Sequence, residues 1–111
     1  MNNIELEVEQ LFQSGADNLD KKLYEAAITD FLKVLSINPN HIASLYQISY
    51  SLCGSDRCEE ALIYSTRIIE LTPDWNSYMY RATVKKSLGD IVGEQEDINK
   101  AWNIGKIACW G

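Results

Sequence analysis

The feature that most restricts what this chain can fold into is an internal echo. Tyr24-Glu25-Ala26-Ala27-Ile28 returns as Cys58-Glu59-Glu60-Ala61-Leu62, a step of about 34 residues. The same step carries Leu11 to Leu45, Leu35 to Ile69, Ile37 to Leu71 and Pro39 to Pro73. A fixed period of this size marks stacked supersecondary units, each too small to bury its own apolar face and each covered by its neighbour.

Apolar spacing makes those units helical. Leu6, Leu11, Gly15 and Leu19 fall on one side of a first helix over about Ile4 to Leu19, and Ala27, Phe31, Val34 and Leu35 on one side of a second over about Tyr24 to Ile37. Asn38-Pro39-Asn40 ends the second, since proline offers no backbone N–H and disfavours helix in the residue before it. A third helix over about Ile42 to Cys53 stops at Gly54-Ser55-Asp56, and a fourth over about Cys58 to Leu71 stops at Thr72-Pro73-Asp74. A fifth runs from about Trp75 to Leu88 with Gly89 as its stop, and Asp90 is the N-cap of a sixth over about Ile91 to Ile104, with Gly105 at its end. The connections are short, so consecutive helices must pack antiparallel as three hairpins. The step into the third hairpin is one residue shorter, taking Leu45 to Tyr78, Ser49 to Ala82, Ile68 to Ala101 and Leu71 to Ile104. The missing residue falls in the connection after Pro73, where a deletion leaves each helix in phase with its own core.

In this register the chain resembles the tetratricopeptide repeat, a helix-turn-helix unit of about 34 residues. The bulky residue near the start of each first helix is Leu11, Leu45 and Tyr78; the small residue at the helix crossing is Gly15, Ser49 and Ala82. Ala27 and Ala61 open the second helices, followed by Phe31, by Val34, Ile68 and Ala101, and by the closing Pro39 and Pro73. Arg81-Ala82, Leu88-Gly89-Asp90, Gly93, Asp97 and Lys100-Ala101 resemble a bacterial variant of the repeat. The resemblance implies an all-α fold, a right-handed α-solenoid of three antiparallel hairpins in one domain over 1–111. The repeats span about 8–41, 42–74 and 75–105, and a short tail covers 106–111. Two positions depart from the pattern: Ser65 replaces a large aromatic, and Glu94 stands where the third unit should carry its small alanine. A carboxylate there suits the solvated end of a stack. The tail is too short for the extra helix that usually covers the last unit, leaving Trp102, Ile107 and Trp110 thinly covered.

The resemblance also implies a working surface, the concave groove lined by the first helix of each hairpin. By register it falls to Phe12, Gln13, Ala16 and Leu19, then Ala43, Tyr46, Gln47 and Tyr50, then Met79, Tyr80, Thr83 and Lys86. Rings flanked by amides suit a protein partner offering an extended or helical segment. Packing between hairpins is the other use for Phe12, Tyr46 and Tyr50, and both remain open. Relatives that grip acidic chaperone C-termini use a Lys, Asn and Arg clamp, but the clamp positions here read Phe12, Ala16, Gln47, Asn76 and Tyr80, so that ligand is not expected. The thin cover over Trp102, Ile107 and Trp110 gives an alternative, a subunit that self-associates as a homodimer.

Charge and composition narrow the partner further. A net charge of −6 speaks against nucleic acid or anionic lipid. The start of the chain has no basic and apolar signal segment, and no stretch approaches the ~20 apolar residues of a membrane span. Cys53, Cys58 and Cys109 lack metal-ligand spacing and read as free thiols in a cytoplasmic protein. His41, the single histidine, lies at a helix start with no base or nucleophile beside it in the pattern. Glu5, Glu7 and Glu9, and likewise Glu94, Glu96 and Asp97, read as solvated faces near positive helix ends. An adaptor without enzymatic activity, metal or cofactor is the expectation.

Overall fold

The computed structural model describes the backbone of residues 3–110 and the side chains of residues 3–105. Its elements are α1 (Asn3–Asp20), α2 (Tyr24–Ile37), α3 (Ile42–Gly54), α4 (Cys58–Leu71), α5 (Trp75–Ser87) and α6 (Ile91–Trp110). The strongest packing is within the hairpins α1–α2, α3–α4 and α5–α6; α2 then packs on α3 and α4 on α5. That nearest-neighbour pattern defines a helical-repeat solenoid. The radius of gyration is 15.1 Å, above the roughly 13 Å of a compact domain of this length.

Each hairpin turns in the same way. After α1, the N–H of Leu23 donates to the carbonyl of Asn18 (2.8 Å) and that of Lys22 to Leu19 (2.9 Å). After α3, Arg57 donates to Leu52 (2.7 Å) and Asp56 to Cys53 (3.2 Å); after α5, Asp90 donates to Lys85 (2.9 Å) and Gly89 to Lys86 (3.0 Å). This paired closure is a Schellman motif, which needs a left-handed residue just past the helix. Those residues are Lys22 (φ 59°), Asp56 (φ 60°) and Gly89 (φ 78°), so the repeat register extends through the loops. Only the third turn uses glycine here, at Gly89 as the sequence suggested; Gly54, read as part of the stop after α3, is instead the last residue of that helix.

The helix starts are capped individually. His41 Nδ1 accepts the N–H of Ser44 (3.2 Å) at α3, which gives the single histidine a structural role. Asp74 and Ser77 form a reciprocal capping box at α5, and Asp90 accepts the N–H of Gly93 (2.9 Å) at α6. Gly105 does not end α6, which runs on to Trp110, so no short irregular tail begins at 106. A Cβ at Gly105 would lie 3.3 Å from Cδ1 of Trp75, and the missing side chain therefore serves close passage of α6 over the start of α5.

Ala27, Ile28, Phe31, Ile48, Leu52, Ala61 and Val84 form one buried cluster through α2, α3, α4 and α5. The small-residue positions work as the repeat requires. A Cβ on Gly15 would lie 2.7 Å from the Phe31 ring, Ser49 is buried with its hydroxyl donating to the Ala61 carbonyl (3.1 Å), and Ala82 is buried. Ser65 is also fully buried and donates to the carbonyl of Leu62 (3.1 Å). Ile4 and Leu6, at the start of α1, are exposed rather than packed.

Candidate functional site

The first helices of the three hairpins, α1, α3 and α5, carry all of the predicted groove residues. The Phe12 ring is half-buried, 5.4 Å from the rings of Phe31 and of His41, which joins hairpin one to the start of hairpin two. Tyr46 and Tyr80 meet edge to face at 5.0 Å, and the Tyr80 hydroxyl donates to the Tyr46 carbonyl (3.3 Å), joining hairpins two and three. Burial pushes the Tyr80 phenol up to about 12, with smaller pushes from Cys53, Tyr46 and Cys58 set against a hydrogen bond with Ser49. Burial, with the charge of Asp74 behind it, also raises Tyr46. These three rings pack between hairpins.

Tyr50 is different. It is 56% exposed and stands between two hollows. On one side Leu19, Asp20, Lys22, Tyr24 and Gln47 line a space of about 400 Å³ with it, where α1 and α2 meet α3. On the other, Tyr50, Cys53, Gly54, Tyr80, Thr83, Val84 and Ser87 line a space of about 280 Å³ between α3 and α5. Tyr46, Asn76, Met79, Tyr80 and Thr83 line a third, of about 370 Å³. So Leu19, Tyr46, Gln47, Tyr50, Met79, Tyr80 and Thr83 gather around hollows. Gln13, hydrogen-bonded to Asp17 (2.9 Å), Ala16, Ala43 and Lys86 line none of these three.

Cys53, Gly54 and Ser87 were not among the expected groove residues. A signal was present for the first: Cys53 stands one repeat after Leu19 and one shortened repeat before Lys86, in the same groove register. Asn76, a clamp position by register, also lines the third hollow.

A further expectation is overturned. Asp97 does not lie on a solvated face: its side chain is 1% exposed. Its Oδ2 accepts Arg81 Nε (2.8 Å) and Lys85 Nζ (3.0 Å), and its Oδ1 accepts Arg81 Nη2 (2.8 Å). Burial pushes the carboxyl up, and the hydrogen bonds and charges of Arg81 and Lys85 outweigh it, so the group sits below the usual carboxylate range. Glu94 is half-buried, while Glu96 is exposed as expected.

Trp102 is 61% exposed, although its register partners Leu35 and Ile69 are half-buried and buried. The side chains of Ile107 and Trp110 lie outside the described residues. Among the described residues, no group of three or more His, Cys, Asp or Glu side chains is placed to hold a metal ion, and no helix is long and apolar enough to cross a membrane.

No protein-family profile matches the chain. Over 80 residues, 71% of its length, it is 32% identical to tetratricopeptide repeat protein 6 of Homo sapiens, and it spans 15% of that protein. Among solved structures, a crystal structure of MamA superposes with a TM-score of 0.85 at 14% identity, covering 94% of this chain and 61% of that one. The MamA fragment 41-end from Desulfovibrio magneticus RS-1 gives 0.78 at 24% identity, covering 87% and 55%. The Sgt2 TPR domain of Aspergillus fumigatus gives 0.81 at 20% identity, covering 90% and 67%. With the repeat register, the three identical turns and the hairpin stack, these likenesses make the chain a tetratricopeptide-repeat protein.

Proposed function

We propose that the chain is a non-catalytic interaction module holding a peptide or helix of a partner protein along the face of α1, α3 and α5, as a cytoplasmic adaptor, scaffold or assembly factor. The observation that carries this reading is Tyr50, an exposed ring between two hollows of about 400 and 280 Å³. A large amphipathic side chain standing free beside unfilled space is positioned to bury area against a partner at low entropic cost. Tyr46 and Tyr80 already have each other and serve as walls. The charges at the first hollow, Asp20 and Lys22, are of opposite sign, which suits a largely uncharged segment better than an acidic tail or a nucleic acid.

The test is affinity capture from the native lysate with the wild-type chain and Tyr50→Ala. The variant removes an exposed ring, so its melting temperature should stay within about 2 °C, while the captured partner is lost. Equal capture by both chains would sink the reading.

A second reading, self-association, rests on Trp102, exposed where its register partners are covered. Sedimentation of the full chain at micromolar concentration should show a dimer that Trp102→Ala weakens; a monomer throughout would end it.

A further inference from the structure

The turn between α3 and α4 holds two cysteines that the groove reading leaves unused. Cys53 lies in the last turn of α3, Cys58 is the first residue of α4, and both are free and half-buried. The backbone between them doubles back, with Asp56 N–H bonded to the Cys53 carbonyl (3.2 Å) and Arg57 N–H to the Leu52 carbonyl (2.7 Å). Both cysteines are reachable from solvent: Cys53 lines the hollow of about 280 Å³ beside Tyr50, and Cys58 lines a neighbouring one of about 360 Å³. Ser87 borders both, so the pair sits on the partition between two open spaces.

We propose that Cys53 and Cys58 are an oxidisable dithiol that peroxide closes to a disulfide across the α3–α4 turn. The Cys58 thiolate attacks one peroxide oxygen, the O–O bond breaks, and hydroxide leaves to take up a proton as water. The Cys58 sulfur is then a sulfenic acid. The Cys53 sulfur attacks it, the S–S bond forms as the S–O bond breaks, and the departing hydroxyl leaves as water with the Cys53 proton. In sum the two thiols lose two hydrogens and the peroxide is reduced to two waters. The order follows from the surroundings. Cys53 is the resolving thiol because burial, with the hydrogen bond and charge of Cys58 added, pushes it up to about 12, which leaves little thiolate to meet peroxide first. This inference does not depend on the groove binding a partner.

The sequence supplies a convenient readout, because trypsin cuts at Arg57 between the two cysteines and at Lys106 ahead of Cys109. The folded, reduced full-length chain is treated with hydrogen peroxide, blocked with a thiol alkylator, digested and mapped by mass. The expected product is the peptide ending at Arg57 linked to the peptide starting at Cys58, lighter by two hydrogens and separated again by dithiothreitol. In Cys53→Ser, with no resolving thiol, dimedone should label Cys58. The proposal is overturned if both thiols remain alkylatable, if Cys58 goes to sulfinic acid while Cys53 stays reduced, or if the disulfide links two chains. It is equally overturned if the internal link forms only in guanidinium, or if dimedone fails to label the variant.

Discussion

Asp97→Asn is the substitution most informative about the fold, because the amide keeps the shape of the carboxylate while removing its charge and turning one acceptor oxygen into a donor. In the native protein that carboxylate is 1% exposed and is held by both guanidinium contacts of Arg81 and by the Lys85 ammonium, whose side chains are 14% and 15% exposed. Two cations thus share one anion between α5 and α6. Taking the anion away leaves both cations facing a neutral group in a largely desolvated site. Losing one member of a buried ion pair costs about 3–5 kcal/mol. Arg81 and Lys85 can swing their heads toward solvent on long apolar stems, which favours the lower end, about 3 kcal/mol. At about 4–8 °C per kcal/mol for a domain of this size, the melting temperature should fall by about 12–24 °C. Circular dichroism at pH 7 measures it, with the exposed neighbour Glu96→Gln as control, expected within about 1 °C. A fall below about 4 °C for Asp97→Asn would refute the claim that this charge anchors α6 to α5. The pH dependence gives a second reading of the same group. Its folded-state value is depressed, so its stabilisation is fully present above the unfolded value near 3.9 and is lost as pH falls through the folded value. Asp97→Asn should lack that part of the acid transition.

Other positions are as readily tested. Lys22→Gly and Asp56→Gly should each stabilise by about 0.5–1 kcal/mol, since relief of left-handed strain exceeds the entropic cost of glycine, while Gly89→Ala should destabilise by about 1 kcal/mol in the same denaturant titrations. Gly15→Ala should destabilise by about 1–2 kcal/mol despite alanine's higher helix propensity, because its Cβ would meet a fully buried Phe31 ring that has no room to retreat. Tyr80 should ionise near 12 in an ultraviolet titration. Its folded value is raised, so the stabilisation is complete below about 10 and disappears as pH rises through 12.

Much of this architecture was legible in the sequence because a solenoid makes its contacts between neighbours. Pro39 and Pro73 stop their helices through local backbone chemistry, and Ala27, Ala61, Val34, Ile68 and Ala101 are buried where the period put them. The groove was legible as a face but not as a shape. Register placed Tyr46 and Tyr50 together, yet it could not tell the ring that meets Tyr80 from the ring that stands free, because that depends on side-chain rotamers across two hairpins. The end of α6 was misread for a related reason. Glycine at 105 has the composition of a stop, and only the passage of Trp75 beneath it reveals another use.

The misreading of Asp97 is the most instructive, because the repeat held the answer two units away. Asp30, Ser14 and Asn18 in hairpin one stand in register with Asp97, Arg81 and Lys85 in hairpin three. In hairpin one Asp30 accepts the Ser14 hydroxyl (2.7 Å) and the Asn18 amide (2.9 Å), a neutral-donor version of the same bridge between paired helices. Hairpin two fills the three places with Ile48, Leu52 and Tyr64, an apolar version packed into the core. One backbone therefore closes its hairpins with three chemistries. The transplant Arg81→Ile/Lys85→Leu/Asp97→Tyr would carry the apolar set into hairpin three. Replacing a buried ion group with well-packed apolar side chains is often neutral or stabilising by about 1–4 kcal/mol, so the triple variant should melt at or above the wild type, although Asp97→Asn alone falls far below it. Should the triple variant melt as low as the single one, the three sites would not be interchangeable, and the ion group would be specifying the α5–α6 contact rather than only filling it.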